Sequence, residues 1–500
     1  MDTIWQPYRV RFAPSPTGRT HLGSVRTALY NYLIARQTEG QFILRLEDTD
    51  QKRYVMGAEE ELTHSLNWLG LTWDEGPEIG GPYSPYRQSE RKEIYLQYAK
   101  ELIKIDKAFY CFCSAERLKA VRTEQMRTKQ TVRYDGACRC LDPQDVEDRV
   151  RKGESHVIRF KTPLEGKITV TDHLRGDITI ENRNLDDYVL IKSDGLALYH
   201  LAAMVDDHIM GITHVIRSSE WLSTLPLHAH IYRAFGWKEP IWVHLSVFLK
   251  PSGKGKMSKR DSSALIKDGY SIFVNDLEAM GYIPEAILNW IALMGWSYDD
   301  HTEFFTLSDL IKKFSLGRCN PSPAAINFSK LDHFNGLHIR SLSTVDLANR
   351  LRPFFESAGI EVDEKTLIKI TPLVRERIIS LEDAPQMAVF FFKEELHPNP
   401  QELIGKKMTL LESQSALKEA YLILEDIPVF THESIEKPLR DLAKQLGLKA
   451  GQLFGILRIA LTGQQVSPPL LESMEIIGKE KVLDRLVKAI GILNKLESNS

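Results

Sequence analysis

The stretch RFAPSPTGRTHLGS, residues 11–24, decides the fold because it sets two prolines and two glycines between a short apolar strand and a helix. The helix is predicted from apolar residues that recur at helical spacing before Gly40: Leu22, Val25, Leu29 and Leu33. A second strand, QFILRLEDTD at 41–50, follows, and a strand–helix–strand unit of this length favours a parallel sheet. In such a sheet ligands bind at the carboxyl ends of the strands, where the N-terminus of the first helix favours an anion. The stretch therefore predicts an anion-binding turn, with His21 placed to donate to a phosphate oxygen.

A second stretch, KPSGKGKMSKRD at 250–261, contains two glycines and is strongly cationic. The glycines give the loop freedom to move, which would let Lys256 and Lys259 swing over a polyphosphate. A basic loop is more often simply solvated, however, and His21 serves equally well as the cap of the helix. Taken singly, neither stretch identifies a nucleotide site.

The composition is that of an ordinary globular protein, with 500 residues of which 43% are hydrophobic and 26% charged. A chain of this length exceeds one ordinary core, so we expect roughly two to four domains. The formal charge of −3 excludes a uniformly basic nucleic-acid coat but allows local basic patches. No apolar run is long enough to span a bilayer, and no signal or transit pattern is visible, so we expect a cytoplasmic protein with no membrane partner.

Three regions of the chain differ in pattern. The first third is α/β, and residues 109–201 carry β-rich segments that read as an insertion between two sheet halves: SHVIRFKT, KITVTDHLRGDITIEN, DDYVLIKS and LALYHLA. From Phe328 the pattern is helical, with amphipathic runs such as DLANRLRPFFESAG. We expect five parts: a first sheet half (1–108), the insertion (109–201), a second sheet half (202–262), a helical region (263–327) and a helical domain (328–500).

Four of the five cysteines lie in two close pairs, Cys111 with Cys113 and Cys138 with Cys140, separated by 24 residues. Four thiolates in two pairs can close a tetrahedral site of the kind that selects Zn²⁺ or iron. Because the C-x-C spacing is tighter than the common C-x₂-C, four buried reduced thiols stay an alternative. A four-thiolate site leaves no position for water, so the predicted role is structural. We assign no role to Cys319.

Together, HLGS at 21–24 and KMSKR at 256–260 resemble the two signature motifs of class I aminoacyl-tRNA synthetases, in the right order and with the first after the right strand. The surrounding text, including RLEDTD, YRQSER, YHLAAMVDDHIMGITHVIRSSEW and NWIALMGWS, is similar to the bacterial-type glutamyl-tRNA synthetases. The resemblance covers essentially the whole chain. It implies an α/β fold in which a Rossmann-like parallel-sheet catalytic domain with a zinc-containing β-rich insertion precedes an all-α anticodon-binding region.

The resemblance also implies a chemistry, the two-step ligation of L-glutamate to tRNA(Glu) through a glutamyl-adenylate made from ATP with Mg²⁺ on its phosphates. His21, Lys256 and Lys259 would serve adenylate formation. The residues implied for ATP binding are His21, Gly23, Ser24, Lys256, Met257, Ser258, Lys259 and Arg260. The residues implied for glutamate binding are Arg11, Ser15, Glu47, Tyr199 and Arg217. The structural Zn²⁺ of the family would lie on Cys111, Cys113, Cys138 and Cys140.

Choosing glutamate means rejecting glutamine, whose side chain ends in an isosteric amide. An arginine fork pairs bidentately with a carboxylate and keeps its charge, so Arg11 and Arg217 suit this task. Plainer interpretations of the same residues are that Arg11 lies at a strand edge and that Glu47 pairs with Arg45 or Arg53. The assignment of these residues therefore depends on the family resemblance.

Two departures from the family pattern bear on the same pocket. Ala203 stands where some relatives carry a polar residue, and SSEW at 218–221 replaces the more usual GEEW or AEEW. Neither departure removes a charge that is expected to contact glutamate. We expect them to change affinity and to leave the substrate class unchanged.

The tRNA contacts are implied in two places. Residues 117–133 carry six basic residues and one acid and resemble the segment that lies over the acceptor stem. Arg375 and Arg377 match the positions that read the third anticodon base, although two arginines on a helix are more often solvated. A reader of that base would discriminate tRNA(Glu) from tRNA(Gln), and a non-discriminating enzyme that charges both stays open. The family suggests a monomer, and whether activation waits for tRNA is likewise open.

Three other functions share some of these features. The shortened relative that glutamylates a modified tRNA base lacks the helical half that this chain has. A nucleotidyltransferase with an HxGH motif needs a second histidine, where Ser24 stands here. A non-catalytic zinc RNA-binding protein would keep the cysteines but has no need of KMSKR. The two intact motifs therefore favour the ligase.

Overall fold

The structure, a computed structural model, describes residues 7–498 apart from the side chain of Lys259. These residues form two compact units. The first comprises the described residues up to Leu277 together with Ile287–Phe328, and the second comprises Glu278–Ala286 and the described residues from Ser329 onward. The first unit is mixed α/β and the second is helical.

The strands are β1 (Arg9–Phe12), β2 (Gln41–Leu44), β3 (Ala108–Cys111), β4 (Val157–Phe160), β5 (Lys167–Asp172), β6 (Gly176–Glu181), β7 (Val189–Ile191), β8 (His214–Ser218), β9 (Ile241–Leu245), β10 (Phe248–Leu249) and β11 (Ala324–Ala325). The helices up to residue 328 are α1 (Leu22–Gln37), α2 (Ala58–Trp68), α3 (Lys92–Lys104), α4 (Ala115–Arg127), α5 (Pro143–Arg151), α6 (Tyr199–Ile209), α7 (Leu225–Phe235), α8 (Ser262–Lys267), α9 (Val274–Ala279), α10 (Pro284–Leu293) and α11 (Leu307–Lys313). The helices that follow are α12 (Phe328–Ser341), α13 (Thr344–Ser357), α14 (Glu364–Arg375), α15 (Asp383–Ala388), α16 (Leu410–Asp426), α17 (His432–Gln445), α18 (Ala450–Thr462), α19 (Leu470–Ile477) and α20 (Lys479–Ser498).

The predicted strand–helix–strand unit at the start of the chain is confirmed. β1 and β2 are parallel, with Val10 opposite Phe42, and α1 between them buries all four apolar residues of the predicted face: Leu22, Val25, Leu29 and Leu33. A second parallel pair, β8 and β9, lies beside the first, because Thr213 N, just before β8, donates to Arg9 O at 2.9 Å. The carboxyl ends of four parallel strands therefore point to one edge, where a parallel sheet binds its ligands.

The region 109–201 contains the predicted strands but also two helices, α4 and α5, that the sequence analysis did not predict. β3, β4 and β7 form an antiparallel sheet, while the β5–β6 hairpin joins the parallel pair through a bridge between Asp172 and Trp242. The interpretation of LALYHLA as β-rich is wrong in its second half, since α6 begins at Tyr199. The helix continues past the quoted segment, and it is buried all round from Leu201 to Asp207.

The prediction of a helical region from Phe328 is confirmed by the run of helices α12–α20. A contiguous core holds α16–α20 together, built from residues such as Leu417, Leu439, Leu457 and Leu486. Several of these helices begin with a side-chain cap, as at Thr409, whose hydroxyl accepts from Glu412 N at 3.2 Å while the Glu412 carboxylate accepts from Thr409 N. Within the described part of the chain, no helix combines the length and apolar character that crossing a membrane requires.

Candidate active site

Buried ion pairs link the ends of the first parallel strands. Arg11 on β1 donates to Asp207 on α6 through Nε (2.9 Å) and Nη2 (3.2 Å). Arg45, which follows β2, donates to the same carboxylate at 2.8 Å and to Glu47 Oε1 at 3.1 Å. Burial alone would raise the pKa of Asp207. The attraction of Arg11 and Arg45 and their hydrogen bonds outweigh burial, so the pKa of Asp207 is lowered. Arg11 is thus a buried member of an ion-pair cluster and not an exposed strand-edge residue, while the plainer pairing of Glu47 with Arg45 is present.

Glu47 is the titratable member of this cluster. Burial raises its pKa to about 7, against the opposing attraction of Arg45 and Arg11. Its backbone N–H donates to Pro14 O at 2.9 Å, which fixes Glu47 beside the loop that carries Ser15. Ser15 itself is exposed, and its carbonyl accepts from Thr17 N at 2.8 Å. The segment after β2 and the loop after β1 therefore bring the ionisable carboxyl group of Glu47 near the hydroxyl of Ser15.

Arg217, at the carboxyl end of β8, is buried with 5% of its surface exposed. Its Nη1 donates to the Tyr199 hydroxyl at 3.1 Å, and the Tyr199 ring stacks on Trp221 with ring centroids 3.9 Å apart. Ala203, on the same helix as Tyr199, is fully buried and offers no polar side chain. Among the described residues, no carboxylate lies within 4 Å of the Arg217 guanidinium. A buried cation without a counter-ion favours an anionic ligand.

The remaining hydrogen-bond partners of Arg217 are histidines, and its Cζ also lies 5.3 Å from the centroid of the Trp242 ring. Nε donates to His244 Nε2 at 3.0 Å, and Nη2 lies 2.9 Å from His228 Nδ1. His228 Nε2 in turn lies 3.1 Å from His200 Nδ1. Burial lowers the pKa of His244 and of His200 to about 4, and it also holds the pKa of His228 well below its ordinary value. All three imidazoles are therefore neutral near pH 7, and the two that accept from Arg217, His228 and His244, add no negative charge beside it.

The predicted anion-binding turn has the expected shape. His21 caps α1, and its Nδ1 accepts from Gly23 N at 2.9 Å, so the cap interpretation is confirmed. A ring nitrogen that accepts carries no hydrogen, which leaves the hydrogen of the neutral imidazole on Nε2. Ser24 is exposed in the first turn of α1. The helix cap and a role as a donor to an anion are therefore compatible, because they use different ring nitrogens.

The basic loop at 250–261 is a tight turn in which Gly253 and Gly255 have φ values of +74° and +79°. Lys256 is half exposed, and its Nζ lies 2.5 Å from Glu220 Oε1 of the SSEW segment. Met257 is buried, and Ser258 donates through N and Oγ to Asp261 at 3.0 and 2.7 Å.

The last two cationic residues of the basic loop are Lys259 and Arg260. Arg260 is exposed, and the side chain of Lys259 lies outside the described part of the structure. The buried Arg26 of α1 ties the first motif to this region, since it stacks on Phe248 just before the loop, with Cζ 4.2 Å from the ring centroid. Both motifs are thus anchored in the same unit.

Three of the four paired cysteines come together. The sulfur atoms of Cys111, Cys113 and Cys138 lie within 4.8 Å of one another, while Cys140 is exposed and outside the group. The Tyr134 hydroxyl lies 3.4 Å from Cys111 Sγ and 3.6 Å from Cys113 Sγ, and it accepts from Cys138 N at 2.8 Å. The three thiols form a donor set compatible with a tetrahedral ion such as Zn²⁺, and the Tyr134 hydroxyl lies beside two of them.

The two arginines singled out in the helical unit lie at the end of α14. Arg375 is half-buried and donates to Thr344 Oγ1 at 2.8 Å, whereas Arg377 is exposed. Arg377 also contributes, after burial, to lowering the pKa of Arg458, so cations gather at this surface. Arg377 is therefore the better placed of the two to contact a phosphate or a base edge.

Sequence reasoning missed several residues that complete the site: Asp172, His228, His244, Asp207 and Tyr134. One of them, Asp207, carried a usable signal, because it and the adjacent Asp206 interrupt an apolar helix and buried carboxylates require partners. The histidines carried none, since a lone histidine in an apolar run is most often a satisfied core residue. Tyr134 lay between the cysteine pairs, where only the fold shows its approach to the thiols.

Two family models match the chain. The first, tRNA synthetases class I (E and Q), catalytic domain, matches residues 7–333. The second, an anticodon binding domain, matches residues 346–490. The two matches follow the α/β and helical parts of the chain in order.

Individual relatives match over nearly their whole length. A glutamate–tRNA ligase of Dehalococcoides mccartyi is 45% identical, with 98% of this chain and 99% of the relative covered. A glutamate–tRNA ligase of a Roseiflexus species is 44% identical, with 98% and 97% covered. The crystal structure of a glutamate tRNA ligase from Elizabethkingia meningosepticum, in complex with its amino acid, superposes with a TM-score of 0.89 at 36% identity, covering 97% of this chain and 99% of that one.

Proposed function

The chain belongs to the class I tRNA synthetases for glutamate and glutamine, and we propose that it is the glutamate–tRNA ligase of that family, acting on tRNA(Glu). In the first step the α-carboxylate of glutamate attacks the α-phosphate of ATP, and pyrophosphate leaves. In the second a hydroxyl of the 3′-terminal ribose attacks the resulting glutamyl-adenylate, and AMP leaves. Both steps depend mainly on positioning and on neutralising charge at phosphate oxygens.

One observation carries the choice of glutamate: Arg217 is a buried guanidinium whose described partners are all neutral. Each of its two terminal nitrogens has a second hydrogen beyond the one given to Tyr199 or His228, which is the geometry of a bidentate carboxylate contact. Glutamine would place an amide there, leaving the buried cation without a counter-ion. Arg11, Ser15, Glu47 and Tyr199 complete the glutamate site in this proposal, with Glu47 facing the α-ammonium group.

ATP lies at the N-terminus of α1 in this proposal, with His21, Gly23 and Ser24 along its phosphates. The loop residues Lys256, Met257, Ser258, Lys259 and Arg260 close over the nucleotide. Support comes from the position of His21 at the start of α1, where its Nδ1 accepts from Gly23 N, and from the exposed position of Lys256. Mg²⁺ on the phosphates would neutralise the pyrophosphate as it leaves.

The experiment that tests the substrate is ATP–pyrophosphate exchange, with tRNA present because activation depends on it in some synthetases. We expect exchange with L-glutamate and none above background with L-glutamine. Equal exchange with both amino acids would contradict the role given to Arg217. No exchange with either, by folded protein, would contradict the proposed activity itself.

The raised pKa of Glu47 predicts a pH dependence. The ionised carboxylate is the form that attracts an ammonium group, so affinity for glutamate increases as pH rises through about 7. We expect kcat/KM for glutamate to rise about fivefold to tenfold between about pH 6 and about pH 8. In Glu47→Gln we expect no such rise of kcat/KM with pH, because the amide does not titrate. If kcat/KM still rises with pH in Glu47→Gln, the titrating group is a different residue.

We propose that Cys111, Cys113 and Cys138 hold one structural Zn²⁺, with Tyr134 as the fourth donor where the sequence analysis expected Cys140. The close approach of the Tyr134 hydroxyl to two thiols supports this choice, as does the exposure of Cys140 outside the group. The ion would stabilise the segment that follows β3 and would take no part in the reaction.

Metal content separates the two candidate fourth ligands. We expect about one zinc per chain in the wild type and in Cys140→Ser, and a zinc affinity at least about tenfold lower in Tyr134→Phe. Measurement by elemental analysis after dialysis against a chelator, with Cys319→Ser as control, requires no activity assay. Loss of zinc in Cys140→Ser with retention in Tyr134→Phe would reverse the assignment.

The last part of the proposal concerns the tRNA contact, the oligomeric state and the cellular compartment. We propose that the helical part from residue 328 binds the anticodon and that Arg375 or Arg377 reads its third base, so that tRNA(Gln) is rejected. The exposure of Arg377 supports this, and so does the match of residues 346–490 to an anticodon domain. The other four parts of the chain keep the sequence-predicted bounds in this proposal, except that the insertion ends before α6, which begins at Tyr199. The enzyme acts as a monomer in the cytoplasm, where its cysteines form no disulfides.

A further inference from the structure

A buried chain of hydrogen bonds runs from Asp172 through His244 to Arg217. Asp172 ends β5, and its Oδ2 lies 2.8 Å from His244 Nδ1, while His244 Nε2 lies 3.0 Å from Arg217 Nε. The side chains of Asp172 and His244 are fully buried. Asp172 belongs to the hairpin inserted between the sheet halves, so a residue far from the family motifs reaches the strand end that carries Arg217.

The directions of these hydrogen bonds follow from the chemistry of the groups. Arg217 has only donors, so His244 Nε2 is the acceptor and its hydrogen resides on Nδ1. Nδ1–H then donates to Asp172, whose carboxylate only accepts. The carboxylate is itself fixed, since its Oδ1 accepts from Leu174 N and Arg175 N, both at 3.1 Å, and its Oδ2 accepts from His244 N at 3.1 Å. One tautomer of His244 and one ring orientation satisfy all these bonds.

This arrangement fixes the Nε edge of Arg217, while Nη1 and Nη2 each keep one hydrogen for the substrate beyond those given to Tyr199 and His228. We propose that Asp172 and His244 are positioning residues, which orient Arg217 so that its Nη edge meets the side-chain carboxylate of glutamate. The inference rests on the proposed function and deepens it. It assigns part of the selectivity for glutamate to the inserted hairpin, because Asp172 of the hairpin orients His244 and His244 orients Arg217. Since the imidazole is neutral, it does this without cancelling the charge of Arg217.

Two substitutions at His244 separate its two contacts. In His244→Gln the side-chain oxygen reaches the place of Nε2 and accepts from Arg217, while the contact to Asp172 is lost. In His244→Asn the amide nitrogen takes the place of Nδ1 and donates to Asp172, but Arg217 Nε loses its acceptor. We expect the KM for glutamate to rise about 100-fold in His244→Asn and about 10-fold or less in His244→Gln, with kcat and the KM for ATP nearly unchanged in both.

Glutamate-dependent ATP–pyrophosphate exchange gives the two KM values, and calorimetric titration with glutamate gives the affinity without turnover. A merely structural role predicts equal losses in both variants, or losses that include the KM for ATP, and either result would overturn the inference. If the His244 variants do not fold, Asp172→Asn is measured instead. Its amide keeps the shape of the carboxylate, and we expect about a 10-fold rise in the KM for glutamate, whereas an unchanged KM would overturn the inference.

The wild-type enzyme separates this inference from the proposed function. Absence of glutamate activation in the wild type contradicts the function and removes the basis of the inference with it. Activation in the wild type together with unchanged glutamate KM values in the variants contradicts the positioning role alone.

Discussion

Arg217→Lys is expected to lower kcat/KM for glutamate by about 10³-fold, although it keeps the charge. A lysine ammonium is a point donor that cannot bind both carboxylate oxygens in the plane of the guanidinium, and it cannot reach His244, His228 and Tyr199 together. Each lost charge-assisted hydrogen bond costs about 1.5–3 kcal/mol, so two such bonds account for the expected decrease. The measurement is glutamate-dependent pyrophosphate exchange at varied glutamate concentration.

The matched control is Arg233→Lys, on the neighbouring helix α7, where Arg233 is nearly half exposed and paired with Glu239. We expect kinetics like those of the wild type there, because an exposed ion pair contributes little. Thermal unfolding of both variants checks the fold. A decrease in Arg217→Lys no larger than that in Arg233→Lys would show that Arg217 does not contact the substrate.

Lys256→Ala is expected to decrease the rate of adenylate formation by about 10²–10³-fold while leaving the affinity for glutamate within about twofold. In the structure Lys256 is bound to Glu220, so it must leave that carboxylate to reach the phosphates as charge develops on them. A cation that acts mainly in the transition state lowers kcat when it is removed and changes ground-state binding little. Single-turnover formation of glutamyl-adenylate, with calorimetry for glutamate, measures both quantities.

Lys254→Ala is the control for this experiment, since Lys254 is exposed in the same loop and belongs to the same cationic stretch. If the loop were only a solvated basic segment, the two substitutions would have equal and small effects. A selective loss in Lys256→Ala assigns the chemistry to that position. Equal losses in both variants would assign the effect to the net charge of the loop.

The sequence predicts those helices and strands that are determined by residues close to one another in the chain. Helical spacing before Gly40 and the apolar runs around it suffice for α1, β1 and β2, because these elements are apolar along the chain and largely buried. The same reasoning misassigned the second half of LALYHLA, where a short apolar run fits a strand or a helix equally well. Length decides between a strand and a helix in such cases, and the length of α6 appears only when the segment is followed to Ile209.

The partners of the site residues could not be predicted, because they are distant in sequence. Arg11 meets Asp207 across 196 residues, and Arg217 depends on Asp172 through a histidine on a different strand. Which carboxylate lies beside which arginine is decided by strand order, and strand order is not visible in a single sequence. The fourth donor near the cysteines shows the same limit, since Tyr134 reaches the thiols only through the folding of the segment between the pairs.

The central claim is the ligation of glutamate to tRNA(Glu), and its most direct test is charging of purified tRNA(Glu) and tRNA(Gln) with labelled glutamate by the wild-type enzyme. We expect charging of tRNA(Glu), dependent on ATP and Mg²⁺, and no charging of tRNA(Gln). Charging of both would contradict the anticodon role given to Arg375 or Arg377 and leave the chemistry intact. Failure of folded enzyme to charge either tRNA would contradict the account at its centre.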